Sequence, residues 1–419
     1  MSTVNKLFLQ ALKASLQNEK VQWEQEISPL DWRSLFKLAE EQHVLPMIYE
    51  AVYSCPAMKI LEQREMQLYK RSVIQSVMLQ SLRTEEFLKL YQQLGEEEIC
   101  PLIVKGLICR NLYPNPDYRV SGDEDILIEE EDFLKFHECV LRKGMQLTNP
   151  EQDIIADYEV AYSKMGSPIY IEAHKSLFPP NSEAYGEVNR YFENIWMNKE
   201  NVEISGIKLW TLNSTDHLFY LICHALKHFL HSGFGIRQVC DMVLFANEYG
   251  KEIDWLRILK QCREIRAEKF AVAIFEIGRN YLTFDMEKAC YPTEWKSIKV
   301  DESMMLEDLL DSGVYGDATM SRKHSSNITL QAVSAQKQGK KESHSLIKTV
   351  FPSAKMLESR YSYLKKRPYL LPIAWADRLI KYGKETKLMS GNQVTEAVRI
   401  GNQRIDLLKF CDILPSLTV

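Results

Sequence analysis

Apolar residues recur at helical spacing through the first part of the chain. "NKLFLQALKASL" shows the pattern, and "SPLDWRSLFKLAEEQHVLPMIYEAVY" repeats it with Ser28 in a capping position and Pro29 in the first turn. From Met58 to Leu94 the chain is rich in Glu, Gln, Leu and Lys and contains neither glycine nor proline, which predicts one long helix or a helical pair. At Ile99 the period changes. "CPLIVKG" and "DILIE" (125–129) are short apolar runs suited to buried strands, and "EEDFLKFHECVLRKG" returns to helical period and stops on Gly144. "YEVAYSK" (158–164) and "PIYIEAHKS" (168–176), joined by "MGS", predict a hairpin, and "VEISGIKLWTL" (202–212) predicts a strand pair or one bent strand around Gly206.

Beyond that, helical spacing returns at "NSTDHLFYLICHALKHFLHSG", with Ser214 or Thr215 as the cap, and lasts almost to Leu309. Residues 317 to 345 are polar and lysine-rich and read as a mobile surface loop or linker, before "LPIAWADRLIKYGKE" resumes a helix. The expected organisation is a helical region over 1–97, a mixed α and β core over 98–212, a helical domain over 213–316 closing its cleft, the linker over 317–345 and a helical segment over 346–419.

Composition narrows the class without choosing a function. With 45% hydrophobic and 26% charged residues, the 419-residue chain can bury more than one core. A net charge of -5 gives no broad pull on polyanions and argues against nucleic acid as a partner. Nine cysteines without a C-x-x-C pair read as buried thiols of a reducing compartment. The N-terminus lacks the unbroken apolar core of a signal peptide and no window approaches 18 apolar residues. The expectation is a cytoplasmic protein with no membrane span.

The chemistry concentrates in "RVSGDEDILIEEEDF". Two aspartates, Asp123 and Asp125, stand at the mouth of an apolar strand, although aspartate is a poor strand former. This is either an acidic turn before a strand or a pair of carboxylates. On a strand the pair projects to one face, because side chains alternate with period two. Carboxylates side by side repel unless a cation lies between them, and Mg²⁺ sites use one or two carboxylates plus substrate phosphates. Lys105-Gly106 ends the preceding strand. Glycine there allows a phosphate to approach the backbone, and the helix that follows favours anions at its N-terminus.

Downstream, Glu172 is a charged residue in an otherwise apolar strand and needs a partner. It is the best third carboxylate; Asp153, Asp157 and Glu159 are less well framed. His174 shares its strand face and could touch metal or phosphate. His217, His224, His228 and His231 share a helix face, as packing groups, pocket lining or metal ligands. Arg237 and Asp241 at i, i+4 read as a helix salt bridge, although Arg237 could reach the cleft.

The pattern Lys105-Gly106, Tyr113-Pro114, Arg119 and Gly122-Asp123-x-Asp125-Ile-Leu-Ile resembles an uncharacterised bacterial nucleotidyltransferase family of the DNA polymerase β-like superfamily. The resemblance continues through "EAHKSL", "HALKH", "IRQVCDMVLF" and "LLDSGVYG" to "LPIAWADRLIKY". It implies an α+β fold, a small mixed sheet flanked by large helical regions. It also implies transfer of a nucleoside monophosphate from NTP, such as ATP, to a hydroxyl of an unspecified acceptor with Mg²⁺ or Mn²⁺.

On that resemblance Asp123, Asp125 and Glu172 are the metal ligands and catalytic residues, and Lys105, Gly106, Arg119 and Gly122 bind the nucleotide. His174, His224, His228 and Arg237 line the pocket. Lys105-Gly106 stands where the superfamily carries Gly-Ser. Arg119 is a nucleotide clamp or a salt-bridge partner of the nearby acids. Two other readings stay open: a non-catalytic nucleotide-binding or scaffold protein that keeps the fold, and a toxin–antitoxin type enzyme modifying protein or RNA.

Overall fold

The computed structural model describes residues 1–231 and 233–313 continuously, and parts of 329–377 and 392–415. These residues divide into two compact units, one within 1–229 and 233–318, the other within 230–232 and 319–419. The first is mixed α and β and carries the aspartates.

Its N-terminal helices are α1 (Thr3–Leu16), α2 (Pro29–Glu41), α3 (Leu45–Val52) and α4 (Gln63–Glu96). Ser28 accepts the Asp31 amide and Pro29 opens α2, as their positions predicted. The segment without glycine or proline becomes one 34-residue helix, entered through a 3-10 turn at Pro56–Ile60.

A sheet follows, of β1 (Leu102–Ile103), β2 (Glu124–Leu127), β3 (Gln146–Leu147), β4 (Glu159–Ser163), β5 (Tyr170–His174), β6 (Glu200–Ile204) and β7 (Ile207–Thr211). The strand order is β3-β4-β5-β2-β1-β7-β6. β2 runs parallel to β5 and β1 parallel to β7; the other neighbours are antiparallel. Between the first two strands lies the short α5 (Gly106–Arg110), and after β2 comes α6 (Phe133–Arg142), which ends before Gly144 at φ +86°. Gly206 closes a tight β6–β7 turn, so this run is a strand pair.

α6 covers one face of the sheet, packing Phe136 edge-on against Tyr162 of β4. The helices α7 (Ser214–His231), α8 (Ile236–Tyr249), α9 (Trp255–Glu264), α10 (Glu268–Tyr281), α11 (Thr293–Lys296) and α12 (Ser303–Ser312) complete the unit. Asn213, whose side chain accepts the Asp216 amide, caps α7; Ser214 and Thr215 lie inside the helix. Trp255, Phe275, Tyr291 and Trp295 form an aromatic core beneath α9 and α10.

The second unit has its own small core, in which Leu357, Tyr361, Leu364 and Ala374 pack together. The expected polar linker is corrected in part: the described residues within 329–337 are helical, with Thr329, Ala332 and Val333 buried. The rest of 317–345 lies outside the described residues. No helix among the described residues is long and apolar enough to cross a membrane.

Candidate functional site

The parallel pairing of β2 with β5 sets Asp125 directly beside Glu172 and Leu127 beside His174. With period-two alternation, Asp125, Glu172 and His174 point to one face of the sheet, the face away from Ile126, Ile171 and Ala173. The β4–β5 hairpin adds Glu159 opposite His174 on that same face. Asp123 sits one step before β2, half-buried at the strand's mouth, and Gly122 beside it is exposed.

Ligand atoms of Asp125, Glu172 and His174 all lie within 4.8 Å of one another, a grouping that could hold a metal ion. His174 Nε2 is 3.3 Å from Asp125 Oδ1, and its Nδ1 is 3.7 Å from Glu159 Oε2, which also accepts the Tyr158 hydroxyl at 2.9 Å. Lys105 is buried 3.6 Å from Asp125 Oδ2 and 3.3 Å from His224 Nε2 on α7. His228 Nε2 stands a further 3.3 Å from His224 Nε2. Apart from this ion pair with Lys105, Asp125 Oδ2 is buried without a hydrogen-bond partner, so its lone pairs carry no hydrogen bond.

These neighbours push the two strand carboxyls apart. Burial opposes ionisation of Asp125, but Lys105 and His174 outweigh it and hold the carboxyl well below its usual range. Burial, then the charges of Asp125, Asp123 and Glu159, push Glu172 up from 4.5 to about 8. Asp123 is thus near enough to act on Glu172 although it stands outside the close group.

A stability prediction follows for the metal-free protein. Between 4.5 and about 8 the folded state holds a proton on Glu172 that the unfolded state has released, so stability from this group is greatest below 4.5 and is lost as pH rises through 8. In Glu172→Gln the fall in Tm across that window is smaller, as differential scanning calorimetry at a series of pH values checks.

Gly106 and Arg119 serve contacts within the protein. The anion at the N-terminus of α5 is the protein's own Glu124: its Oε2 accepts the Leu107 amide at 2.9 Å and its Oε1 pairs with Arg110, all fully buried. Gly106, at φ +30°, is required because a Cβ would overlap that carboxylate. The glycine therefore admits Glu124. Gly106→Ala is expected to cost about 2–4 kcal/mol, read by denaturant unfolding.

Arg119 is fully buried and grips Asp241 through Nε at 2.7 Å and Nη2 at 2.6 Å, while Tyr113 donates its hydroxyl to the same carboxylate at 2.7 Å. Its ion-pair partner is therefore Asp241 and not Asp123 or Asp125. Arg237 does not form the expected i, i+4 pair either; it donates to the Val120 carbonyl.

These contacts serve the loop that carries Asp123. Gln80 of α4 accepts the Ser121 amide at 2.8 Å, Arg83 of α4 donates to the Ser121 carbonyl, and Arg110 donates to its hydroxyl at 2.8 Å. The loop is thereby fixed from three helices. Elsewhere on α7, His217 is fully buried against Phe245, and burial pushes it down to about 4, so it is a packing group.

Two contributors escape a local reading. Glu159, less well framed than Glu172 in the sequence, is set opposite His174 by the register of the β4–β5 hairpin. Glu124 lies between the aspartates, and only α5 folding back over β2 gives it a role.

Compared with known proteins, residues 28–283, more than half of the chain, match the model of a family described as uncharacterised nucleotidyltransferases. No curated protein and no solved structure matches.

Proposed function

From the chain's membership of this uncharacterised nucleotidyltransferase family, we propose that it transfers a nucleoside monophosphate from a nucleoside triphosphate to a hydroxyl of an acceptor, with a fold of the DNA polymerase β-like kind. The observation that carries this reading is the β2–β5 register, which packs Asp125 against Glu172 with Asp123 close enough to raise Glu172. Like charges so placed call for a cation.

The donor set fits a divalent ion. Asp123, Asp125 and Glu172 would hold Mg²⁺ or Mn²⁺, with Asp125 Oδ2 carrying no hydrogen bond and with His174 within the close group. When bound, the ion supplies charge neutralisation and alignment for an in-line phosphoryl displacement. His174, set between Asp125 and Glu159, holds the central carboxylate in place. Glu172, with its raised affinity for a proton, takes the proton from the acceptor hydroxyl. Lys105, anchored between Asp125 and His224, is the cation that meets the triphosphate. Residues 98–212 form the catalytic core and the helices of 213–316 close its cleft, with His224 and His228 on the lining.

The Lys105–Asp125 pair also favours a second reading, a nucleotide binder in which the lysine stands in for the metal. One experiment separates the two. The protein is incubated with each NTP labelled at the α- or γ-phosphate, with Mg²⁺ or Mn²⁺ and a pool of metabolites or lysate. The expected result is transfer of the α-label alone, abolished in Asp123→Ala with Asp125→Ala. Transfer that survives the double substitution overturns the site, and NTP binding without transfer selects the second reading.

A further inference from the structure

α4 has an inner face that packs Val73, Gln80, Phe87, Tyr91 and Leu94 into the unit. Its outer face is apolar where a solvated face should be polar. Ile74 is 48% exposed, Met78 66% and Leu82 44%, with Leu68 and Leu79 beside them. Positions 71, 74, 78, 82 and 85 follow steps of three and four residues and so stand in one line along the helix. Arg71 flanks the apolar centre on the N-terminal side and Glu85 on the C-terminal side. Both are exposed, and neither joins an ion pair among the described residues.

This line is self-complementary in one sense only. Parallel pairing of two copies would set arginine on arginine and glutamate on glutamate. Antiparallel pairing about a two-fold axis beside Met78 sets Arg71 against the partner's Glu85 at both ends. The same axis sets Ile74 against the partner's Leu82, and Met78 against itself. We propose that α4 is a homodimer interface formed by antiparallel self-pairing over Arg71–Glu85. A two-fold contact of this kind uses the same patch on both chains and closes on itself. The apolar centre supplies the association energy, and the two charge pairs fix direction and register.

The interface lies directly behind the site. Gln80 and Arg83, on the same turns as Met78 and Leu82, hold Ser121 and through it the loop that carries Asp123. Pairing of α4 therefore stiffens the helix from which that loop hangs. This consequence rests on the proposed function; the association does not and is measured without it.

Sedimentation velocity of the full chain over a range of concentrations tests the proposal. The wild type is expected to dimerise reversibly, and Met78→Glu or Leu82→Glu to weaken the dimer by about tenfold or more. Because these side chains are exposed, circular dichroism stays unchanged, as does Tm at dilutions where wild type and variants are monomeric. Arg71→Glu alone and Glu85→Arg alone are each expected to weaken self-association, whereas a mixture of the two forms a dimer with opposite charges facing at both ends. A wild type that remains monomeric throughout overturns the proposal. So does a dimer indifferent to Met78→Glu, or a mixture no tighter than its components.

Discussion

Asp125→Asn is expected to lower nucleotidyl transfer by about a thousandfold or more, equivalent to about 4 kcal/mol in the barrier. Asp125 is the carboxylate on which the whole constellation converges. Lys105 and His174 both reach it, Glu172 lies beside it on the next strand, and its Oδ2 has no hydrogen-bond partner. An amide of the same shape keeps the packing but removes the charge that a divalent ion needs. Metal affinity, followed by isothermal titration calorimetry with Mn²⁺, falls with the activity. The substitution also leaves buried Lys105 facing a neutral group, so Tm drops and activity must be read well below it. Transfer within tenfold of wild type would remove Asp125 from the chemistry. Asp123→Asn, at the half-exposed mouth of β2, has no such effect on Tm.

The largest loss of stability is expected at Asp241. Asp241→Ala strands the fully buried Arg119 without its carboxylate and leaves the Tyr113 hydroxyl only the Arg237 carbonyl at 3.4 Å. Breaking such a pair from one side costs about 3–5 kcal/mol, because the remaining charge stays buried. Urea unfolding measures it. Replacing both partners, as in Arg119→Met with Asp241→Leu, removes the stranded charge and is expected to recover much of the loss. An Asp241→Ala variant as stable as the wild type would mean that water reaches Arg119. The effect reaches the site as well. Arg119 and Val120 are tied to α8 through Asp241 and Arg237, and three residues after Val120 the chain delivers Asp123. Activity of Asp241→Ala is therefore reduced even where the protein remains folded.

Residues of the candidate site were legible where the signal was local. Asp-x-Asp before an apolar triplet and a lone glutamate in an apolar strand are anomalies of pattern, visible because strands alternate with period two. The Lys105-Gly106 pair was equally visible, but the group that Gly106 admits was not. A glycine opening a helix after a strand looks the same whether the anion that approaches is a phosphate or a side chain 18 positions away. Only the fold of α5 over β2 shows it to be Glu124. The partner of Arg119 was hidden for a related reason: it is 122 residues distant on α8.

By itself, then, the sequence determined most elements and the chemically unusual residues: the helical character of 58–94, the caps at Ser28 and Gly144, the β4–β5 hairpin, and the acids standing out of apolar strands. Those depend on neighbours within a turn or a strand. The tertiary structure alone decided which polar groups face one another. It joined β2 to β5 in parallel, set His174 between Asp125 and Glu159, and committed Glu124 and Asp241 to Arg110 and Arg119. A buried charge must find its counter-charge wherever the fold supplies one, and nothing in the local spacing of residues records that distance.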